Sequence, residues 1–265
     1  MFRCPVCKHP LARGDAAWRC ETGHSYDVAR EGYVNLLITH QRRRREPGDS
    51  AEMLAHRRAF LDAGHYRPLK DALADLVPAG ASVLDVGCGE GYYTRDLPNP
   101  VWGIDIAKAA VRLAAKRTER SDAHYAVASA YDLPVLDGAA DVVVSVFAPL
   151  HSVEFERVLT PGGMVVTVVP GPRHLDGLKA RFFEAPELHP DEGPFEREGA
   201  TTALRPTGRH EVTYDLELTD GGTIDDLVHM TPYAWYVSPE RRGAVVASAA
   251  LRTTVDFRVF TYVVS

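Results

Sequence analysis

Cys4 and Cys7 are separated by two residues, Cys20 and His24 by three, and twelve residues lie between the pairs. Thiolates and an imidazole at this spacing are the donor set of a tetrahedral zinc ion, each short loop bringing two ligands to one point. Four protein ligands close the coordination sphere, so the metal is expected to be structural rather than catalytic. So short a segment has little core of its own, and the ion would supply much of its folding free energy. The competing readings are a disulfide and coincidence. No secretory signal precedes the motif, so the chain is expected in the cytoplasm, where structural disulfides are rare. Coincidence would have to set three of the four cysteines and a histidine at metal spacing. The remaining thiol, Cys88, reads as a small residue in a tight turn.

A second group of residues carries different chemistry. Val83-Leu84-Asp85-Val86-Gly87-Cys88-Gly89-Glu90-Gly91 is an apolar strand running into a glycine-rich turn. Glycines there let backbone approach a ligand and adopt angles that side chains resist. A G-x-G turn alone also fits a dinucleotide. That fingerprint, however, wants its third glycine where this chain has Tyr92, and Gly91 stands one place earlier. Asp85 ends the strand where it could receive an ammonium group, directly or through water, and a phosphate-binding turn gains nothing from a carboxylate there. Asp105 follows Gly87 by eighteen residues, at the end of the next apolar run. An acid at that edge can accept from both ribose hydroxyls of a nucleoside, or simply cap the helix expected from Lys108. Taken together, Asp85, Gly87, Gly89, Gly91 and Asp105 favour S-adenosylmethionine over NAD. Ser129, in Ala128-Ser129-Ala130-Tyr131, falls where class I methyltransferases line the adenine pocket, although many carry an acid at that position.

The elements that must position these groups alternate along the chain. A helix capped by Asp49 or Ser50 is expected from Ala51 to Phe60, and another over Arg67–Leu76. Strands are expected at 82–86, 101–105, 124–127, 140–147 and 164–169, with a short helix after the glycine turn and others near 108–117 and 153–159. Strands and helices at these spacings predict a parallel α/β sheet with helices on both faces, the Rossmann-like class I methyltransferase fold, carrying a small N-terminal zinc-binding domain. Val212–Leu218 and Thr254–Val264 read as two late strands, with a helix after Asp220-Gly221-Gly222.

With 45% hydrophobic and 25% charged residues the composition is that of a globular protein, and no apolar run is long enough to span a membrane. The net charge of −6 argues against a nucleic-acid partner until its distribution is examined. Residues 1–45 carry nine Lys/Arg against four acids, which is +5 there and −11 over the remainder. A basic head on an acidic body suggests an anionic partner met by the head. The run Arg42-Arg43-Arg44-Arg45 would hold phosphates, its plainer reading being a solvated linker. The expected organisation is a zinc module at 1–36, a basic linker at 37–55 and a methyltransferase domain at 56–265.

The sequence resembles the bacterial 23S ribosomal RNA (guanine-N1)-methyltransferases, a family that includes macrolide-resistance enzymes. The likeness runs over almost the whole chain, through the Cys3His finger, Glu31-Gly32-Tyr33-Val34-Asn35-Leu36-Leu37 and Pro47-Gly48-Asp49-Ser50-Ala51-Glu52-Met53. It continues in Arg58–Tyr66, Gly87–Tyr93, Pro170-Gly171-Pro172-Arg173-His174-Leu175 and Met230-Thr231-Pro232. The glycine motif is common to many methyltransferases; the finger and the two proline-glycine segments are more specific. The resemblance implies that Cys4, Cys7, Cys20 and His24 hold zinc and that Tyr66, Gly89, Glu90 and His174 contact S-adenosylmethionine. It also implies methylation of one guanine in a 23S rRNA hairpin loop near the peptide exit tunnel, by enzymes some of which act as homodimers. A small-molecule methyltransferase with a zinc lid is the alternative, and a zinc adaptor on a decayed fold is disfavoured by the intact glycine turn. An unpaired guanine would stack on an aromatic side chain, for which Tyr93 and Trp235 are candidates. His151 is given no role, and no residue is singled out as the general base.

Overall fold

The structure is a computed structural model that describes residues 1–38, 50–197 and 203–264. Three short strands, β1 (Ala12–Arg13), β2 (Ala17–Arg19) and β3 (Ser25–Asp27), make an antiparallel ribbon, and β4 (Val34–Asn35) follows. Then come α1 (Ala51–Asp62), α2 (Arg67–Leu76), β5 (Val83–Val86), β6 (Val101–Asp105), α3 (Lys108–Lys116), β7 (Ala123–Val127), β8 (Ala140–Val146), α4 (Ser152–Val158) and β9 (Leu159–Pro170). The last part holds α5 (Asp176–Phe182), α6 (Pro194–Arg197), β10 (Leu204–Leu218), α7 (Gly221–His229), α8 (Tyr233–Tyr236), α9 (Pro239–Ala247) and β11 (Leu251–Val264).

Eight strands form the large sheet in the order β10-β11-β9-β8-β5-β6-β7-β4. From β5 the chain steps outward through β6 to β7, then returns to the other side of β5 as β8 and β9, all five parallel. Strand order therefore reverses between β5 and β8, and a crevice opens there at the strands' C-terminal ends. This is the expected class I arrangement, completed by β11 inserted antiparallel between β9 and β10.

Side-chain alternation decides what each face buries. Val142, Val144 and Val146 of β8 join Leu69 and Leu73 of α2 and Leu227 of α7 in one core. Val143, between them, faces the other way, into a core with Phe155 of α4 and with Phe2 and Trp18 of the ribbon. The ribbon is thus welded to the sheet. Phe2, fully buried, meets Trp18 and Trp102 edge-on at 5.4 and 4.7 Å between ring centroids. Burying one such ring contributes roughly 1.5–3 kcal/mol. Backbone bonds seal the seam, with Arg3 N donating to Pro134 O (2.9 Å) and Leu136 N to Met1 O (2.9 Å). The strand β4 pairs with the edge of β7, and Leu36 N donates to Val127 O.

Several expectations change in detail. No helix follows the glycine turn; residues 89–99 run as successive turns and bends. Gly89 and Gly91 there hold φ of +55° and +75°, which a right-handed helix excludes, and Pro98 stops any later one. Pro161-Gly162-Gly163 is part of β9, in a bulge where the pairing with β8 jumps from Ala140↔Leu159 to Val142↔Met164. Of the two candidate caps for α1, Ser50 accepts from Met53 N, and Asp49 lies outside the described residues. His151 caps α4, its Nδ1 accepting from Glu154 N. Both late strands are longer than expected, and α5 and α9 were not anticipated. Among the described residues no helix is long and apolar enough to cross a membrane.

Candidate functional site

In the ribbon, the turns that carry the ligand candidates are built by backbone bonds such as Lys8 N to Cys4 O and Gly23 N to Cys20 O. Gly23, at φ +90°, lets the chain reverse between Cys20 and His24. The donor atoms of Cys4, Cys7, Cys20 and His24 all lie within 4.8 Å of one another. Cys7 Sγ and Cys20 Sγ are 3.6 Å apart, and His24 Nδ1 is 3.6 Å from Cys4 Sγ and 3.4 Å from Cys20 Sγ. Zn–S bonds near 2.3 Å put tetrahedral donors about 3.7 Å apart, so the four residues fit the ion without rearrangement. Around them, Thr22 Oγ1 donates to Cys7 Sγ (3.1 Å), and Tyr26 OH lies 3.0 Å from Cys4 Sγ. Outer-shell contacts of this kind orient metal ligands.

The second site is a cavity of about 980 Å³ in the crevice beyond β5 and β8. Tyr66, Asp85, Gly87, Gly89, Glu90, Asp105, Ser129 and His174 all line it, and Gly91 does not. Gly91 sits behind the wall at φ +75°, where an added Cβ would lie 3.2 Å from the Tyr125 hydroxyl. Its part is to shape the turn. Open space adjoins Gly89, whose missing Cβ would meet nothing within 4 Å. Gly87 is the tight point, because a Cβ there would fall 2.2 Å from that of Ala148.

Three carboxylates share the polar wall. Asp85, 3% exposed, accepts from Thr94 Oγ1, and burial raises its pKa to about 7 against that bond, with Asp105 adding to the rise. Asp105 accepts from Gly89 N (2.9 Å) with one oxygen and from Ala107 N (2.7 Å) with the other. It therefore both braces the glycine turn and steadies the start of α3. Glu90 pairs with Arg117 at 3.1 Å through Oε1, while Oε2 is buried with no hydrogen-bond partner among the described residues. Burial raises the Glu90 pKa, with Arg117 opposing. An orphaned buried acceptor of this kind asks for a donor from a ligand. The wall suits a nucleoside with a cationic tail and opposes a pyrophosphate.

On the adenine side, Ser129 Oγ accepts from Tyr131 N (3.2 Å), which turns the chain around the cavity. Lys8 pairs with Asp132 just beyond, so the ribbon braces this loop. On the far side, His174 packs on Phe257 at 4.7 Å, and its Nδ1 accepts from Asp256 N at 3.3 Å. Burial, with His189 and Lys179 nearby, lowers its pKa to about 3, so the ring is neutral and its proton is assigned to Nε2. Tyr66, 2% exposed, is wedged edge-on against Phe60 and Phe257. Tyr131, quoted in the adenine-side segment, lines the cavity 61% exposed; sequence reasoning missed Phe147, which lines it 43% exposed at a left-handed φ of 53°. That φ leaves no mark in the sequence. Of the two stacking candidates, Tyr93 lines the cavity, and Trp235 lies outside it. Arg42–Arg45 fall outside the described residues.

Gly87→Ala should cost about 2 kcal/mol or more of stability, from the left-handed backbone and the collision with Ala148. Chemical denaturation would measure it, and unchanged stability would mean that the turn relaxes freely.

Residues 2–45 match the family described as RlmA, N-terminal, a zinc ribbon, and residues 84–167 match a methyltransferase domain. A Streptomyces fradiae protein described as 23S rRNA (guanine(748)-N(1))-methyltransferase is 35% identical over 258 residues, spanning 93% of this chain and 90% of that protein. A Micromonospora griseorubida protein, described provisionally as a 23S rRNA (guanine-N(1)-)-methyltransferase, is 36% identical over 286 residues, spanning 97% and 95%. Among solved structures, Haemonchus contortus phosphoethanolamine N-methyltransferase 2 with phosphomonomethylethanolamine and S-adenosylhomocysteine has a TM-score of 0.52 at 15% identity. It covers 82% of this chain and 59% of that one, a likeness of fold alone.

Proposed function

The chain belongs to the 23S rRNA (guanine-N1)-methyltransferase family, and on that premise we propose that it methylates N1 of one guanine in a hairpin loop of 23S rRNA. The observation that carries this reading is that relatives at 35–36% identity span ribbon and methyltransferase body together, over more than nine-tenths of the chain. S-adenosylmethionine, when bound, supplies an electrophilic methyl group and its own leaving group.

The protein's residues bind and align. Asp85 receives the ammonium end, and Asp105, which lines the cavity at its strand edge, accepts from the ribose hydroxyls. Open backbone at Gly89 lets the ligand lie against the turn. Glu90 Oε2, buried without a partner among the described residues, takes a donor from the ligand, and the 129–131 loop closes the adenine side. Tyr66 and His174 shape the opposite wall; His174 is neutral and brings no charge to the methyl acceptor. Arg42–Arg45, in the linker between the zinc module and the methyltransferase domain, serve as phosphate contacts, which makes binding weaken as salt rises. Effects on macrolide susceptibility, and self-association, follow from the family reading as separate expectations.

Incubating the purified protein with labelled S-adenosylmethionine and protein-free 23S rRNA, then digesting to nucleosides, tests the reading. The expected product is 1-methylguanosine. Label found only in another nucleoside, or only in small-molecule acceptors, would overturn it.

A further inference from the structure

A second concavity adjoins the cavity, a cleft of about 660 Å³ between the start of α1 and the α8–α9 segment. It shares Met53 and Tyr236 with the cofactor cavity, so the two spaces meet. Trp235 and Tyr236 stand side by side on α8, 67% and 79% exposed, and no residue of that helix is buried. Two adjacent aromatic rings held toward water add little to the fold. Arg242 closes the cleft. Its Nη1 donates to His229 Nε2 at 3.1 Å, while its Nε is buried without a partner among the described residues. His229 is itself fixed, stacked on His56 at 4.6 Å with Nδ1 3.0 Å from an Asp225 oxygen. Glu52 is the one carboxylate among the lining residues.

We propose that this cleft is a second RNA subsite, which takes a single-stranded nucleotide flanking the target guanine. The inference rests on the rRNA-methyltransferase reading. The flanking base stacks on Trp235 and Tyr236, which is sequence-tolerant because every base has a π face. Its phosphate lies toward Arg242, whose fixed guanidinium is suited to a phosphate oxygen. Because Tyr236 borders both spaces, a strand gripped in the cleft delivers its neighbouring base to the cofactor cavity. The subsite therefore acts on RNA affinity and leaves the cofactor's affinity alone.

The test uses the full-length protein and the 23S rRNA hairpin. The chain has three tryptophans; Trp18 is 5% exposed and Trp102 is packed on Phe2, so Trp235 is the one whose fluorescence an RNA base can quench directly. Hairpin binding should quench emission in the wild type and not in Trp235→Phe, which keeps a stacking ring and should keep a near-normal KM for RNA. Trp235→Ala should raise that KM roughly tenfold, with kcat and S-adenosylmethionine affinity little changed. Arg242→Gln should raise it severalfold and flatten its salt dependence. Normal methylation with wild-type KM in Trp235→Ala overturns the subsite and leaves the rRNA reading intact. Wild-type protein that neither binds nor methylates the hairpin overturns both. A dimer in sedimentation that Trp235→Ala dissociates, with RNA KM unchanged, would assign the aromatic pair to a second copy of the chain instead.

Discussion

Asp85→Asn is expected to weaken S-adenosylmethionine binding by roughly 10- to 100-fold, the loss of a buried charge-assisted hydrogen bond. The substitution keeps shape and an acceptor for Thr94, so the fold should survive. It removes the charge that meets the ligand's cationic end. Burial raises the Asp85 pKa to about 7, with Asp105 adding to the rise. A bound cation stabilises the carboxylate and pulls that pKa down. Wild-type affinity should therefore climb as pH rises through about 7 and fall by up to about tenfold per unit below it. Cys88, also facing Asp85, is pushed well above its ordinary pKa by burial and stays a neutral thiol in this range. For folding stability the sign is opposite. A carboxyl whose pKa rises on folding favours the fold most when protonated, and that contribution fades as pH climbs toward 7. Asp85→Asn should abolish both dependences. Calorimetric titration between pH 5.5 and 7.5 reads the first, and unchanged affinity in the variant would show that Asp85 does not meet the ligand.

The second large effect is removal of zinc. One ion per chain is expected, and Cys7→Ser or a strong chelator should release it. Structural zinc sites in finger peptides contribute roughly 10–16 kcal/mol of apparent binding free energy, far more than the ribbon's few strands can replace. The ribbon should unfold, and Trp18, now 5% exposed, should shift its fluorescence to the red. The parallel strands carry their own core on the other face, built from Val83, Val142, Val144 and Val166, and should persist. Cofactor affinity should fall about fivefold, since among the described residues the ribbon supports the cavity by bracing the loop at Asp132–Pro134 through Arg3 and Lys8. RNA methylation should fall far more, because the basic head is lost. Equal loss of both activities would make the ribbon a lid over the cofactor instead of an RNA grip.

The positions of the parallel strands along the chain and the two ligand-bearing turns were legible because their signals are local. Val83–Val86 is a buried run ending in glycines, and the zinc pairs are fixed by spacing alone. Asp105 was legible as an acid at a strand end; it lines the cavity, and its side chain bonds Ala107 N without capping α3, whose N-cap is Ala107 itself. What escaped depends on distant partners. The first half of β10, Leu204–Glu211, is polar and contains Pro206 and Gly208, and it becomes a strand only because β11 pairs with it. Helices α5 and α9 are short, and α9 buries only Val245. The docking of the ribbon turns on Phe2 reaching Trp102, a hundred residues away and without a periodic trace. Tyr66 and His174 came from family resemblance, and no spacing rule would have set them on one cavity. Gly91 matched the motif, yet it serves the turn and not the cavity surface.

The central claim is tested most directly by mapping the modified base. A methyl group on guanine N1 removes a Watson–Crick donor and halts reverse transcription, so primer extension on 23S rRNA reports its position. The account predicts one new stop, one nucleotide before a hairpin-loop guanine, that needs both the protein and S-adenosylmethionine and is lost in Asp85→Asn at low cofactor. Methyl incorporation without any stop, or stops scattered over many guanines, would contradict it.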